Sequence, residues 1–264
     1  MDHTGGKMIH LGICTGIENA GIMKEIGYDY IELGLSKIAA LTSDEFDAFE
    51  LRALASPLPV EVANSMLPGY FVLCGSEGTG DAVRAYLKCA FERAARLGVK
   101  VIVFGSGGAR KLPDGMTLKE GMAYLAAFLR LAAKLSAFHG IRIAIEPLRT
   151  EECNIINTVA QAQELAALTD EENVFSLADL YHMMSGNEPY DALDNGIGVI
   201  HAHVAERLTR AYPKEGDGSE SDYREFFRRL KNAGYEGRVS VEARCSDFEL
   251  EAKASYDLLD MLRH

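Results

Sequence analysis

The chain has 264 residues, of which 48% are apolar and 25% charged, and a formal net charge of −12. That balance belongs to a globular protein and excludes the low-hydrophobicity, high-charge profile of a disordered chain. The acidic excess also argues against a phosphate-backbone binder, which needs a concentrated basic face to displace counterions, so nucleic acid is not an expected partner.

Residues 1–7 are polar with no h-region behind them and are expected to form a flexible N-terminal extension. No apolar run approaches the roughly 18 residues of a membrane span, so no membrane partner is expected. Beyond the extension, short runs rich in Val and Ile predict strands near 8–14, 29–33, 59–64, 99–104, 141–146, 173–178, 197–204 and 238–242. Longer segments with apolar residues every three or four positions separate them. One carries Val83, Leu87, Ala90, Phe91 and Ala94 on a single stripe, and another carries Tyr223, Phe226, Phe227 and Leu230.

Repeated strand-helix units require a parallel sheet with right-handed crossovers. Eight of them favour closure, and the length matches the roughly 250 residues of a (β/α)8 TIM barrel. An open nucleotide-binding sheet would show G-x-G-x-x-G at its first turn, and Cys14-Thr15-Gly16-Ile17 does not provide it. A single domain over 1–264 is expected. The five cysteines, Cys14, Cys74, Cys89, Cys153 and Cys245, are scattered and form no C-x-x-C pair, which fits reduced thiols and a cytoplasmic setting.

Four strands end in groups that are costly to place there. In the fifth, Ile141, Ile143 and Ile145 alternate with Arg142, Ala144 and Glu146, so the isoleucines face the helices and Glu146 points into the barrel mouth. The eighth repeats this, with Val239 and Val241 outward and Ser240 and Glu242 inward. In the seventh, His201 and His203 share the inner face between outward Ile200, Ala202 and Val204, and His203 lies nearer the rim. The sixth runs into Asp179, followed by His182 three residues on. A lone strand-end glutamate is usually a rim residue and a lone histidine a satisfied core group. Four such residues on successive strand ends of a barrel lie where active sites of this fold are built. Three carboxylates and one imidazole form a hard, mostly oxygen donor set suited to Mn²⁺, Mg²⁺ or Co²⁺, with Zn²⁺ left open, whereas a structural zinc would recruit thiolates.

Three other segments invite a reading. Asn64, Ser65 and Met66, after the third strand, can line a pocket, although Met more often fills core gaps. The glycine-rich stretch from Phe104 to Lys111 can cradle a phosphate, with Arg110 or Lys111 adding charge, or be an ordinary barrel loop. The loop from Glu206 to Ser221 is long for its position and can close over the site.

The stretches IAIEPLRTEECNIINT from Ile143, LADLYHM from Leu177, HAHVAE from His201 and GYEGRVSVEA ending at Ala243 carry a resemblance that extends over nearly the whole chain. The chain resembles the xylose isomerase-like sugar isomerase/epimerase superfamily, in the pattern of the D-tagatose 3-epimerase and hydroxypyruvate isomerase groups. The resemblance implies one divalent metal ion held by Glu146, Asp179, His203 and Glu242, with Glu146 and Glu242 also serving as the acid-base pair. It implies that His182 and Glu152 contact hydroxyls of a small polyhydroxy substrate. It places a substrate arginine six positions after the ligand histidine, where this chain has Thr209 flanked by Arg207 and Arg210. The reaction implied is isomerisation or epimerisation through an enediolate. A dehydratase of the inosose type and a non-catalytic sugar-binding relative remain alternatives, and relatives often form homodimers. An apurinic endonuclease with three zinc ions is disfavoured, since Ala63-Asn64 and Phe104-Gly105 bring no histidine.

Overall fold

Alternation of side chains on eight short strands sets the architecture. In the computed structural model, which describes residues 9–194 and 198–264, these are β1 (His10–Cys14), β2 (Tyr30–Gly34), β3 (Val60–Asn64), β4 (Val101–Phe104), β5 (Arg142–Ile145), β6 (Val174–Asp179), β7 (Val199–Val204) and β8 (Arg238–Val241). Each pairs in parallel with the next, and β8 closes on β1 to complete the barrel. All eight expected strands are present to within two residues at their ends. The N-terminal extension expected at 1–7 lies outside the described residues.

Helices fill the crossovers: α1 (Ala20–Ile26), α2 (Leu35–Ala39), α3 (Ser43–Leu54), α4 (Asp81–Arg96), α5 (Gly107–Arg110), α6 (Leu118–Ala137), α7 (Val159–Thr169), α8 (Leu180–Ser185), α9 (Glu220–Asn232) and α10 (Phe248–Arg263). The two expected stripes are buried faces of α4 and α9. Each fully buried side chain of Phe or Leu size contributes about 1.5–3 kcal/mol, so these stripes hold the helices against the barrel wall. Among the described residues, no helix is long and apolar enough to cross a membrane.

Inside the barrel a separate apolar cluster of Tyr30, Val62, Val101, Val103, Ala144 and Leu177 fills the interior. Tyr30 fits because Gly12 faces it on β1, where a Cβ would come within 2.1 Å of its ring, and its hydroxyl shares a 2.7 Å hydrogen bond with Ser240. The expected outward face of β7 fails at one residue. Ser176 pairs with Val199 but Leu177 pairs with His201, which leaves Ile200 as an extra residue, and it packs against the interior cluster instead of the helices. Such a bulge re-aims the side chains after it, here the two histidines.

Candidate active site

Parallel strands all end on one face, so the last inward residue of each reaches the same mouth. Glu146 directly follows β5 and Glu242 directly follows β8, with backbone N–H groups that still donate to Phe104 and Val204 of the neighbouring strands. Asp179 closes β6 and caps α8, its Oδ1 accepting the His182 backbone N–H at 3.0 Å. His203, fully buried on β7, places Nδ1 3.0 Å from Glu146 Oε1, 3.5 Å from Glu242 Oε2 and 3.7 Å from Asp179 Oδ2. One donor atom from each of the four lies within 4.8 Å of the others. The glycine-rich segment after β4 contributes room: a Cβ on Gly105 would come within 2.1 Å of Glu146 Oε2.

The reading of strand ends missed Glu32. It is buried on β2 and reaches across the barrel, with Oε1 3.0 Å from His203 Nε2 and Oε2 2.9 Å from His201 Nε2. Its one sequence signal is the inward position that period-two alternation assigns it between Ile31 and Leu33. Burial opposes its charge, but His203 and His201 together outweigh burial and hold its carboxyl far below the ordinary range. Because Glu32 occupies Nε2, the nitrogen of His203 that faces the three carboxylates is Nδ1, and a carboxylate behind a ligating imidazole is the usual means of fixing its orientation.

Burial and mutual repulsion oppose ionising all of these acids together. Burial, joined by the charges of Glu146 and Asp179, outweighs His203 and Arg210 and pushes Glu242 up to about 8. Burial also opposes a charge on His203, yet the surrounding carboxylates hold its imidazole well above its ordinary value. Two buried carboxylates and one half-buried one that share a single imidazole form a donor set that fits a hard divalent ion.

Around this cluster the structure brings together some expected contacts and not others. Arg210 sits at the site, with Nη2 2.5 Å from Glu242 Oε2 and Nη1 3.6 Å from Glu152 Oε1. It reaches there from a left-handed backbone, φ 57°, a conformation that costs a non-glycine residue on the order of 1 kcal/mol. Arg207 is exposed and donates to Asn187 instead. Asn64 donates to Glu242 Oε1 at 3.2 Å, so both oxygens of that carboxylate are held. With Ser65 it lines a cleft of about 260 Å³ that also includes Cys14, Glu32 and Lys37; Met66 is core.

His182 is buried, and its Nδ1 accepts the Arg149 N–H at 3.1 Å. That bond leaves the proton on Nε2, which has no hydrogen-bond partner among the described residues and lies 3.8 Å from Asp179 Oδ2. Glu152 accepts from Arg149 at 2.8 Å, and the guanidinium groups of Arg149 and Arg210 lie 5.1 and 4.9 Å from the Tyr181 ring centre.

Arg110 is not brought to the site. It is fully buried, and its guanidinium donates to the backbone carbonyls of Phe104 at 2.9 Å, Glu146 at 2.7 Å and Ile156 at 3.4 Å. Those carbonyls engage both Nη atoms and full burial keeps the group away from the mouth, so Arg110 braces the ends of β4 and β5 instead. The loop from Glu206 to Ser221 is folded on itself: the Glu206 carboxylate accepts the N–H groups of Leu208 and Thr209, and Ala211 bridges to Arg244.

Comparison with known proteins agrees with this architecture. The 3-dehydro-D-guloside 4-epimerase of Escherichia coli (strain K12) is 31% identical over 137 residues, which cover 51% of this chain and 50% of that protein. A probable ketose 3-epimerase of Synechocystis sp. is 26% identical over 235 residues, 83% of this chain and 75% of that protein. The chain therefore spans about half the length of the first relative and three quarters of the second. Among solved structures, a D-allulose 3-epimerase from Methylomonas sp. superposes with a TM-score of 0.81 at 21% identity over 98% of each chain, a likeness of fold. The family model described as Xylose isomerase-like TIM barrel matches residues 21–263, and the chain belongs to that family.

Proposed function

We propose that the chain is a divalent-metal-dependent isomerase or epimerase of a small keto-sugar. The observation that carries this reading is the cluster of Glu146, Asp179, His203 and Glu242, whose donor atoms lie within 4.8 Å of one another at the mouth of the barrel. The two relatives support it, since both are named epimerases and both names carry a keto or dehydro group. When bound by these four residues, a Mn²⁺, Mg²⁺ or Co²⁺ ion supplies positive charge that acidifies a C–H beside a carbonyl and steadies the resulting enediolate.

The chain's own groups perform the proton movements. Glu146 and Glu242 approach from β5 and β8, so one takes the proton from carbon and the other returns it on the opposite face. Arg210 and Asn64 hold the two oxygens of Glu242 and set the direction in which it presents a proton. His182 offers Nε2–H to a substrate oxygen, because the bond from Arg149 fixes its tautomer. Glu152, held by Arg149, accepts from a hydroxyl. Neutral sugars and their phosphates both satisfy these contacts.

The test is exchange of substrate protons with solvent deuterium over a panel of ketoses, their phosphates and keto-cyclitols. Glu146→Gln and Glu242→Gln should each slow exchange by about 10²–10⁴-fold with the fold intact. Near-wild-type exchange in either variant would sink the acid-base assignment. A product lighter by one water would replace isomerisation with dehydration.

A further inference from the structure

Beneath the carboxylate cluster lies a second group of donors of different chemistry. Cys14 ends β1 directly opposite Glu32 on β2, and alternation turns both inward. Cys14 Sγ, a Glu32 carboxylate oxygen and a His203 ring nitrogen lie within 4.8 Å of one another. Two ligands on one tetrahedral ion, with bonds of 2.0–2.3 Å, stand roughly 3.3–3.8 Å apart, so Glu32 Oε1 and His203 Nε2, now 3.0 Å apart, open slightly and Cys14 Sγ closes on them by at most about 1 Å. Cys14 is only partly buried. It lines the 260 Å³ cleft together with Glu32, which supplies an entry path. The other Glu32 oxygen keeps its bond to His201.

We propose that Cys14, Glu32 and His203 Nε2 form a second cation site, selective for a thiophilic divalent ion such as Cd²⁺ or Zn²⁺, whose filling disables the carboxylate site. A thiolate and a carboxylate balance the two positive charges, and the ion displaces two protons to solvent as it binds, one from the thiol and one from His203 Nε2. Thiolate favours soft ions, whereas Mn²⁺ and Mg²⁺ favour the oxygen-rich cluster above. The two sites exclude each other through one ring. An imidazole bound through Nε2 carries its proton on Nδ1, and that nitrogen then has no lone pair for the upper site. The inhibitory part of the proposal rests on the reading of the upper cluster as a metal site.

The full chain, with its other four cysteines intact, is titrated with Cd²⁺ while the ultraviolet thiolate-to-cadmium charge-transfer band is recorded, and Mn²⁺ binding is measured separately by dialysis. Wild type should show a component that saturates at one equivalent and should release bound Mn²⁺ as it fills. Cys14→Ala and Cys14→Ser, the second retaining a small polar acceptor for the Asn64 side chain, should lose that component. Both should bind Cd²⁺ at least about tenfold more weakly and keep Mn²⁺ affinity. Persistence of the one-equivalent component in either variant overturns the site. Equal displacement of Mn²⁺ by Cd²⁺ in wild type and variants overturns the exclusion, since it means direct competition at the carboxylates. Failure of all three proteins to bind Mn²⁺ counts against the upper site alone, because the charge-transfer arm still decides the lower one.

Discussion

Both oxygens of Glu32 are taken by imidazoles, at 3.0 Å by His203 and 2.9 Å by His201, so the ring of His203 cannot turn without breaking a buried charged bond. Replacing Glu32 by Gln keeps the shape but not the charge. That variant should weaken divalent-ion binding by about 10–100-fold while the barrel stays folded, as measured by dialysis against Mn²⁺; unchanged affinity would remove the supporting role. Glu32 was hard to read in sequence because one acid in mid-strand has no local partner, and its partner His203 is 171 residues away. Arg110 misled for the opposite reason: its glycine-rich surroundings suggest an anion cradle, but the nearby carbonyls that take its guanidinium arise only once β4 and β5 end side by side. The choice between Arg207 and Arg210 likewise turned on one left-handed residue in a loop.

At the scale of elements, the N-terminus of α7 carries a pH-sensitive contact. The Val159 N–H donates to Glu188 Oε1 at 2.8 Å, while Oε2 is buried with no hydrogen-bond partner among the described residues. Burial outweighs the help of that N–H and raises the Glu188 carboxyl from 4.5 to about 7. A raised carboxyl means that the folded state binds the proton more tightly than the unfolded chain. Its stabilisation is therefore full below the unfolded value and is lost as pH rises through about 7. Thermal melts between about pH 5 and pH 8 should show a loss of roughly 1 kcal/mol, discounted for partial exposure, that Glu188→Gln removes. An unchanged slope in the variant would assign the effect elsewhere. Strands and amphipathic helices were legible because their periods are local, as the buried stripes of α4 and α9 bear out. The bulge at Ile200 was not, since it depends on the register chosen against β6.

Over the whole molecule, closure of eight parallel strands builds an apolar floor around Tyr30, Val103 and Leu177, a layer of Glu32 with two histidines above it, and acids at the mouth. A cation bound to that mouth only in the folded state should stabilise the whole barrel. Mn²⁺ at a hundred times its dissociation constant contributes about 2.7 kcal/mol, which raises Tm by roughly 5–10 °C in a chain of this size. Asp179→Asn should abolish most of the rise in a thermal-shift assay, and an equal rise in the variant would place the ion elsewhere. The closed (β/α)8 barrel and the four inward donors at the ends of strands five to eight were legible from the chain, because alternation and strand count are written locally. That Glu32 stands behind His203, that Arg210 faces Glu242 and that Arg110 binds carbonyls emerged only with the folded barrel. Those outcomes depend on distances across the barrel between residues far apart in the chain, which no local period encodes.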